Sequence, residues 1–234
     1  MEMSSNKFEC KRGNLYIRGL EYRPEGNNLP IAIISHGFLQ NKHFVKRYAK
    51  FFAEHGYVAF CFDFCGGTAI LGQSDGKTTE MSVLTEVADL KSVIEYAKSL
   101  DYTDSNNITL MGCSLGGLVS ALVANELEKD VKNLVLFYPA FFLPYAVREG
   151  EVLWFKFNPN NLPDKIKYGP ISIGKPFAED AMDMEPYELI PLYKGNVFII
   201  HGTKDTTVDI SYSDKAYELY IKNTKLIRRL FTIK

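Results

Sequence analysis

The chain has 234 residues, of which 46% are hydrophobic and 24% charged, a composition typical of a globular protein with a sizeable core. Its formal net charge of −1 gives no electrostatic case for nucleic acid or an anionic membrane as a partner. The N-terminus lacks the apolar stretch of a signal peptide, and residues 134–147 are too short to span a bilayer. We therefore expect one cytoplasmic domain over residues 1–234, with its four cysteines reduced.

Strand and helix patterns alternate along the chain. A hairpin is predicted first, from strands at residues 8–11 and 15–22. Short apolar runs, typical of strands buried on both faces, follow at residues 31–35, 57–62, 108–112, 134–138 and 197–201. Helices are predicted at residues 43–54, 83–97, 114–128 and 214–221. This alternation predicts an α/β fold, with a mostly parallel sheet and helices on both faces.

One long stretch, at about residues 140–185, interrupts this alternation. It contains five prolines and many aromatic side chains. A long insertion between the elements of a sheet usually forms a lid or a binding segment, so we predict a lid or cap here. Its aromatic residues could face a substrate or form the core of the lid, and the sequence leaves both alternatives open.

A candidate nucleophile lies where a predicted strand meets a helix. Residues 112–116 read GCSLG and fit the pattern G-x-S-x-G, in which a serine occupies a strained strand-to-helix turn. Gly112 and Gly116 are required there because larger side chains would collide with the neighbouring strand and helix. Ser114 is therefore the predicted catalytic nucleophile. The alternative is a tight turn that only packs a helix against the sheet.

Two backbone N–H groups are candidates for binding an oxyanion. Acyl transfer needs fixed donors for the negative charge that develops on the carbonyl oxygen. The residue after the nucleophile, Leu115, supplies one N–H, and Phe38 in the sequence His36-Gly37-Phe38 supplies the other. We expect His36 to shape this loop together with Gly37, although a histidine could also act as a base.

A candidate catalytic acid follows the last buried strand. Asp205 lies in the sequence HGTKD, where a carboxylate can orient a histidine. Asp209 is the alternative acid, but its position just before a helix favours a capping role.

Taken together, HGF, FDFCGG with SDG, GCSLGG and HGTKD resemble the α/β-hydrolase family over residues 31–220. The pattern looks most like bacterial cinnamoyl or feruloyl esterases, and monoglyceride-lipase-like enzymes are similar. The resemblance implies an eight-stranded sheet and a Ser–Asp–His triad. It implies hydrolysis of a small carboxylic ester through an acyl-enzyme, with neither cofactor nor metal. The aromatic insertion suggests an apolar or aryl acyl group.

In the family, the catalytic base is a histidine downstream of the acid. The four histidines of this chain are His36, His43, His55 and His201. None of them follows Asp205, and His201 occupies a strand position that does not favour an approach to Ser114. Residues 225–233 fit the last strand of the family's sheet, after which a histidine loop and a helix would follow. We hypothesise that a premature stop or a frame shift near Leu226 produced this ending.

The expected function therefore has two alternatives. The first is a serine esterase impaired by the lack of a histidine base, with thioesterase and peptidase activity also open. The second is a non-catalytic ligand-binding or interaction protein on the same fold. Without a closing helix, an apolar sheet face would remain uncovered, which leaves a homo-oligomer open.

Overall fold

The computed structural model describes residues 3–222 and 227–232, with side chains described as far as residue 222. The strands are β1 (Met3–Arg12), β2 (Leu15–Pro24), β3 (Leu29–Ser35), β4 (Val58–Phe62), β5 (Thr103–Cys113), β6 (Val131–Phe137), β7 (Glu151–Val152), β8 (Phe155–Lys156), β9 (Lys165–Tyr168), β10 (Ile171–Gly174), β11 (Asn196–Gly202) and β12 (Ile227–Thr232). The helices are α1 (Lys42–Glu54), α2 (Val83–Lys98), α3 (Leu115–Glu126), α4 (Leu143–Arg148), α5 (Lys175–Met182), α6 (Pro186–Leu189) and α7 (Ile210–Tyr220).

The main sheet has eight strands in the order β1-β2-β4-β3-β5-β6-β11-β12. The β1–β2 hairpin is antiparallel, and β2 pairs antiparallel with β4. The other six strands of this sheet, β4, β3, β5, β6, β11 and β12, run parallel to one another. Parallel strands covered on both faces are apolar throughout, which explains the unbroken apolar runs of β3 and β4. The predicted α/β class and mostly parallel sheet are therefore confirmed.

The two faces of the sheet carry different helices. Alternate residues of β3 point to opposite faces, so that Ile31 and Ile33 join one apolar core with α2 and α3. Ala32 and Ile34 join a second, smaller core with Val45 and other residues of α1. The serine loop at the start of α3 is thus held between the sheet and a well-packed helix layer.

An apolar groove remains open on the α1 face. Its volume is about 750 Å³, and it runs between α1 and the exposed surface of β5, β6 and β11. The side chains that line it are mostly aromatic or aliphatic and include Phe51, which is 54% exposed. Within residues 3–222 no helix covers this groove.

Helix starts are set by capping side chains. The Asn41 side chain caps α1, and Ser82 with Thr85 forms a capping box at α2. Asp209 caps α7, so that this helix begins at Ile210, earlier than the predicted residue 214. At the other end, β12 falls within the predicted final strand, but residues 225, 226 and 233 of that prediction lie outside the described residues.

The insertion at about residues 140–185 folds into short elements. It contains α4, the β7–β8 hairpin, the β9–β10 hairpin and α5. None of the described helices is long and apolar enough to cross a membrane. All four cysteines are free thiols.

Candidate active site

Ser114 occupies a strained turn between β5 and α3. Its φ of 51° lies in the left-handed region, which non-glycine residues adopt only when the surrounding structure holds them there. Here the Ser114 N–H donates to the Phe137 carbonyl at 3.0 Å, and the Ser114 carbonyl accepts from Ala140 N–H at 2.9 Å. This is the backbone geometry of a nucleophile elbow.

The glycines around Ser114 are required by close backbone approach. A Cβ on Gly112 would overlap the carbonyl of Gly116. A Cβ on Gly116 would overlap the carbonyl of His36 in the loop after β3. Both predicted glycine positions are therefore sterically closed to any larger residue, and the elbow packs directly against the loop that carries Phe38.

Two backbone donors beside Ser114 have no partner. Within the described part of the chain, neither Leu115 N–H nor Phe38 N–H donates to a protein acceptor. Leu115 is the first residue of α3, so its N–H also lies at the positive end of the helix dipole. The loop before Phe38 lies against the serine, since a Cβ on Gly37 would be 3.3 Å from Ser114 Cβ. An anion at Ser114 would meet both donors.

His36 is fully engaged in holding this loop. Its Nδ1–H donates to the Gly37 carbonyl at 2.8 Å, and its Nε2 accepts from Phe64 N–H at 3.2 Å. The ring is buried, and burial lowers the pKa of His36, so that the imidazole is neutral. The geometry favours a shaping role for His36 over that of a base.

Asp205 presents one free carboxylate oxygen. Its Oδ1 accepts N–H groups from Thr207 at 2.8 Å and Val208 at 2.9 Å, while its Oδ2 lies 3.6 Å from His201 Nε2. β6 lies between β5 and β11, which separates the backbones of the serine and acid loops by about 10 Å. Asp209 accepts from Ser211 N–H at 2.8 Å. Hydrogen bonding to the Ser211 side chain, and to a lesser extent to its backbone N–H, lowers the pKa of Asp209. Asp209 is thus used as a helix cap.

His201 is buried, and both of its ring nitrogens are occupied. Its Nε2 lies 2.9 Å from the Val208 carbonyl, which can only accept, so Nε2 carries the proton. Its Nδ1 therefore accepts from the Ser213 hydroxyl at 2.7 Å. No lone pair of the ring remains for the Ser114 hydroxyl, and His201 instead braces the loop that carries Asp205.

Of the other two histidines, His43 lies in α1 and His55 directly follows its last residue. His43 is exposed in its first turn, and the Nδ1 of His55 lies 2.7 Å from the Phe51 carbonyl at its C-terminus. Neither contacts the serine loop. Within residues 3–222, no imidazole is therefore available as a base for Ser114.

A narrow cavity of about 20 Å³ adjoins Ser114. It has room for roughly one water molecule. Part of its wall comes from the insertion, through Phe142, Val152, Leu153 and Phe177. The sequence did not single out Val152 and Leu153, because their position depends on how the β7–β8 hairpin folds over the site.

The sheet order and the strained serine at a strand–helix turn are features of the α/β-hydrolase fold. Residues 27–171, more than half of the chain, match the family model described as "Serine aminopeptidase, S33". The chain therefore belongs to this family of α/β hydrolases.

Solved structures and curated relatives agree with this assignment. The structure described as "Ferulic Acid bound to Est1E from Butyrivibrio proteoclasticus" is similar at 26% identity and a TM-score of 0.86, covering 96% of this chain and 89% of that chain. This confirms the resemblance to feruloyl esterases.

Two curated relatives match over part of their length. An "Uncharacterized 31.7 kDa protein in traX-finO intergenic region" of Escherichia coli is 34% identical over 149 residues, covering 62% of this chain and 51% of that protein. A "Putative esterase/lipase 2" of Mycoplasma genitalium is 27% identical over 140 residues, covering 59% and 49%. The chain thus spans about half the length of these curated relatives.

Proposed function

We propose that the chain is a serine esterase in which Ser114 is the nucleophile. The observation that carries this proposal is the strained Ser114 beside two unpartnered N–H donors. Ser114 Oγ attacks the ester carbonyl, and the N–H groups of Leu115 and Phe38 hold the oxyanion. The ester C–O bond then breaks, and the alcohol leaves with the proton lost by Ser114. Water attacks the acyl-enzyme, which releases the carboxylic acid and returns a proton to Ser114 Oγ.

Asp205 is the proposed acid of the triad. Its Oδ1 is fixed by two backbone N–H groups, which leaves Oδ2 to accept from an imidazole. Each histidine in residues 3–222 is engaged elsewhere or distant from the serine loop. We therefore expect residues 1–234 alone to turn over esters about 10⁴- to 10⁶-fold more slowly than an intact triad.

The proposed substrate is a small ester with an apolar or aryl acyl group. The cavity beside Ser114 has apolar walls, and the similar Est1E structure is described with ferulic acid bound. A cavity of about 20 Å³ admits no acyl group. We therefore propose that the insertion acts as a lid, and that Val152 and Leu153 of the β7–β8 hairpin move away when substrate enters.

The test is hydrolysis of short-chain and aryl p-nitrophenyl esters by the purified chain. We expect slow turnover that Ser114→Ala removes. The matched control is Ser120→Ala, which deletes a buried hydroxyl of α3 that has no partner in the described residues. Equal rates in the chain and in Ser114→Ala would contradict the proposal. Parallel assays with thioesters and p-nitroanilides compare the other acyl-transfer reactions that this site could perform.

A second candidate function is ligand binding without turnover. It is favoured by the engagement of His36 and His201 in structural hydrogen bonds. In that case ferulic acid or an aryl ester would raise the melting temperature, while the Ser114→Ala variant would match the unmodified chain in every hydrolysis assay.

A further inference from the structure

The loop that carries the Phe38 donor is tied to a second loop. We call residues 36–42 the oxyanion loop and residues 63–73, which follow β4, the clamp loop. Hydrogen bonds join the two loops at the beginning, middle and end of the oxyanion loop. A further buried connection between the two loops is an ion pair that the serine chemistry itself does not use.

That ion pair joins Lys42 and Asp63. Lys42 Nζ lies 2.6 Å from Asp63 Oδ2, and the two side chains are 2% and 0% exposed. Asp63 Oδ1 accepts the backbone N–H of Lys42 at 2.7 Å, and Oδ2 also accepts Gln73 N–H at 2.9 Å. Both carboxylate oxygens are thus satisfied, and one carboxylate holds a backbone group of each loop.

Stability alone does not account for a buried pair of charges. Removing two charges from water costs several kcal/mol, and apolar residues of similar volume are often as stable or more stable. An apolar pair, however, has no directional bond to a backbone N–H. What Asp63 provides is a fixed position for Lys42, at the end of the oxyanion loop and the start of α1.

Three further hydrogen bonds hold the oxyanion loop to the clamp loop along its length. At its start, Phe64 N–H donates to His36 Nε2 at 3.2 Å. In its middle, Ala69 N–H donates to the Leu39 carbonyl at 3.1 Å. Near its end, Asn41 Nδ2 donates to the Ile70 carbonyl at 3.2 Å. The clamp loop therefore contacts the oxyanion loop on both sides of Phe38.

The segment between these connections is strained. Leu39 has a φ of 55°, and a tight turn brings Gln40 N–H to the Gly37 carbonyl at 3.1 Å while Gln40 Oε1 accepts Gly37 N–H at 3.2 Å. A non-glycine residue in this region needs outside support. The conformation leaves Phe38 N–H free beside Ser114, and a small displacement of the loop would move that donor away from the oxyanion.

We propose that Asp63 and Lys42 are positioning residues that hold Phe38 N–H where the oxyanion forms. This inference rests on the proposed function of Ser114. Asp63 acts through Lys42 and the loop ends, and neither side chain touches the substrate. The clamp loop is then a functional part of the site, although it lies outside the serine and acid loops.

The test uses Asp63→Asn, with Lys42→Met as a second variant that keeps the length of the side chain if the first does not fold. Two properties are measured: hydrogen–deuterium exchange of the amides in residues 37–42, and labelling of Ser114 by a fluorophosphonate. We expect exchange to accelerate by about 10-fold or more. We expect the maximal labelling rate to fall by about 10- to 100-fold, with the half-saturating probe concentration unchanged.

The matched control is Tyr193→Phe, which removes a buried hydrogen bond of 3.1 Å to the Val131 carbonyl at the opposite end of β6. It should lower the melting temperature and leave both loop exchange and labelling unchanged. Unchanged loop exchange in Asp63→Asn and Lys42→Met would overturn the inference, as would accelerated exchange with an unchanged labelling rate. If the unmodified chain is not labelled at all, the proposed function fails instead, and loop exchange alone decides whether the pair holds the loop.

Discussion

The serine loop and the acid loop use their polar groups in opposite ways. Around Ser114, the N–H groups of Leu115 and Phe38 have no partner within residues 3–222. Around Asp205, His201 has both ring nitrogens bonded, to Val208 and Ser213. Buried polar groups are normally satisfied, so two free backbone donors beside a candidate nucleophile indicate where a reaction intermediate can bind. By this criterion the serine loop is ready for chemistry, whereas His201 is a structural element.

We expect the largest effect from a substitution that displaces the serine loop. Gly116→Ala places a Cβ against the His36 carbonyl, so either the elbow or the oxyanion loop must shift. We expect Ser114 labelling to fall by about 100-fold or more. Stability should fall by about 1–3 kcal/mol, measured by chemical unfolding. The control is Gly13→Ala, whose Cβ would meet nothing within 4 Å, although its φ of 57° adds backbone strain that Gly116→Ala does not. Equal labelling of both variants would contradict the steric account.

The next largest effect is expected from free imidazole added to the protein, which tests whether Ser114 lacks a base. If no histidine of the described chain reaches Ser114, added imidazole can accept its proton. We expect imidazole to accelerate fluorophosphonate labelling of Ser114 by about 10-fold or more, since a positioned general base contributes about 10²–10⁴-fold. The reference is labelling in an equal concentration of tetramethylammonium chloride, a quaternary cation without a basic nitrogen. An unchanged rate would indicate that a base is already in place.

The variant His201→Ala distinguishes a structural role of His201 from a catalytic one. The variant leaves the Ser213 hydroxyl and the Val208 carbonyl without their buried partner. We expect a loss of about 2–4 kcal/mol in unfolding free energy and a change of less than about 3-fold in Ser114 labelling. Loss of labelling as complete as in Ser114→Ala, in a variant that remains folded, would identify His201 as the base.

The smallest expected effect is on the pH dependence of stability, and it concerns Glu86. This residue is buried, has an unsatisfied carboxyl oxygen and lies outside the site. Its Oε2 has no partner among the described residues, and burial, with a contribution from Asp89, raises the pKa of Glu86 well above its ordinary value of 4.5. Burial also raises the pKa of Asp89, which is paired with Arg12 and accepts Cys65 N–H.

The sign of the pH dependence follows from the raised pKa. Above pH 4.5 the unfolded chain releases the Glu86 proton while the folded protein keeps it, so stability falls as pH rises. Glu86→Gln should flatten this dependence and raise the melting temperature at pH 8 by on the order of 3 °C. Glu80→Gln, an exposed carboxyl nearby in the chain, is the control. Identical pH profiles for all three proteins would show that Glu86 is ionised in the folded state.

Much of the fold could be predicted because buried parallel strands leave a clear apolar pattern. β3, β4 and the second half of β5, from residue 108, are largely apolar for that reason, whereas residues 103–107 at the start of β5 are polar. β1 begins at Met3, earlier than predicted, since an exposed edge strand has no buried face to impose alternation. The apolar spacing placed the start of α7 at residue 214, whereas the helix begins at Ile210, directly after the capping residue Asp209 for which the sequence already favoured that role.

Some residues of the candidate site could also be predicted from the sequence, and others could not. Ser114, Gly112 and Gly116 follow from a motif whose spacing reflects local backbone sterics. The Lys42–Asp63 ion pair joins residues 21 positions apart in two loops, and only the tertiary fold brings them together. No periodicity or spacing marks such a pair. The same holds for the hydrogen bonds that occupy His201.

The most direct test of the account is to map the fluorophosphonate adduct by mass spectrometry of the intact and digested chain. We expect a single adduct on Ser114 that forms slowly, forms faster in the presence of imidazole and is absent from Ser114→Ala. No adduct, or an adduct on another residue that persists in Ser114→Ala, would contradict the assignment of Ser114 as the nucleophile.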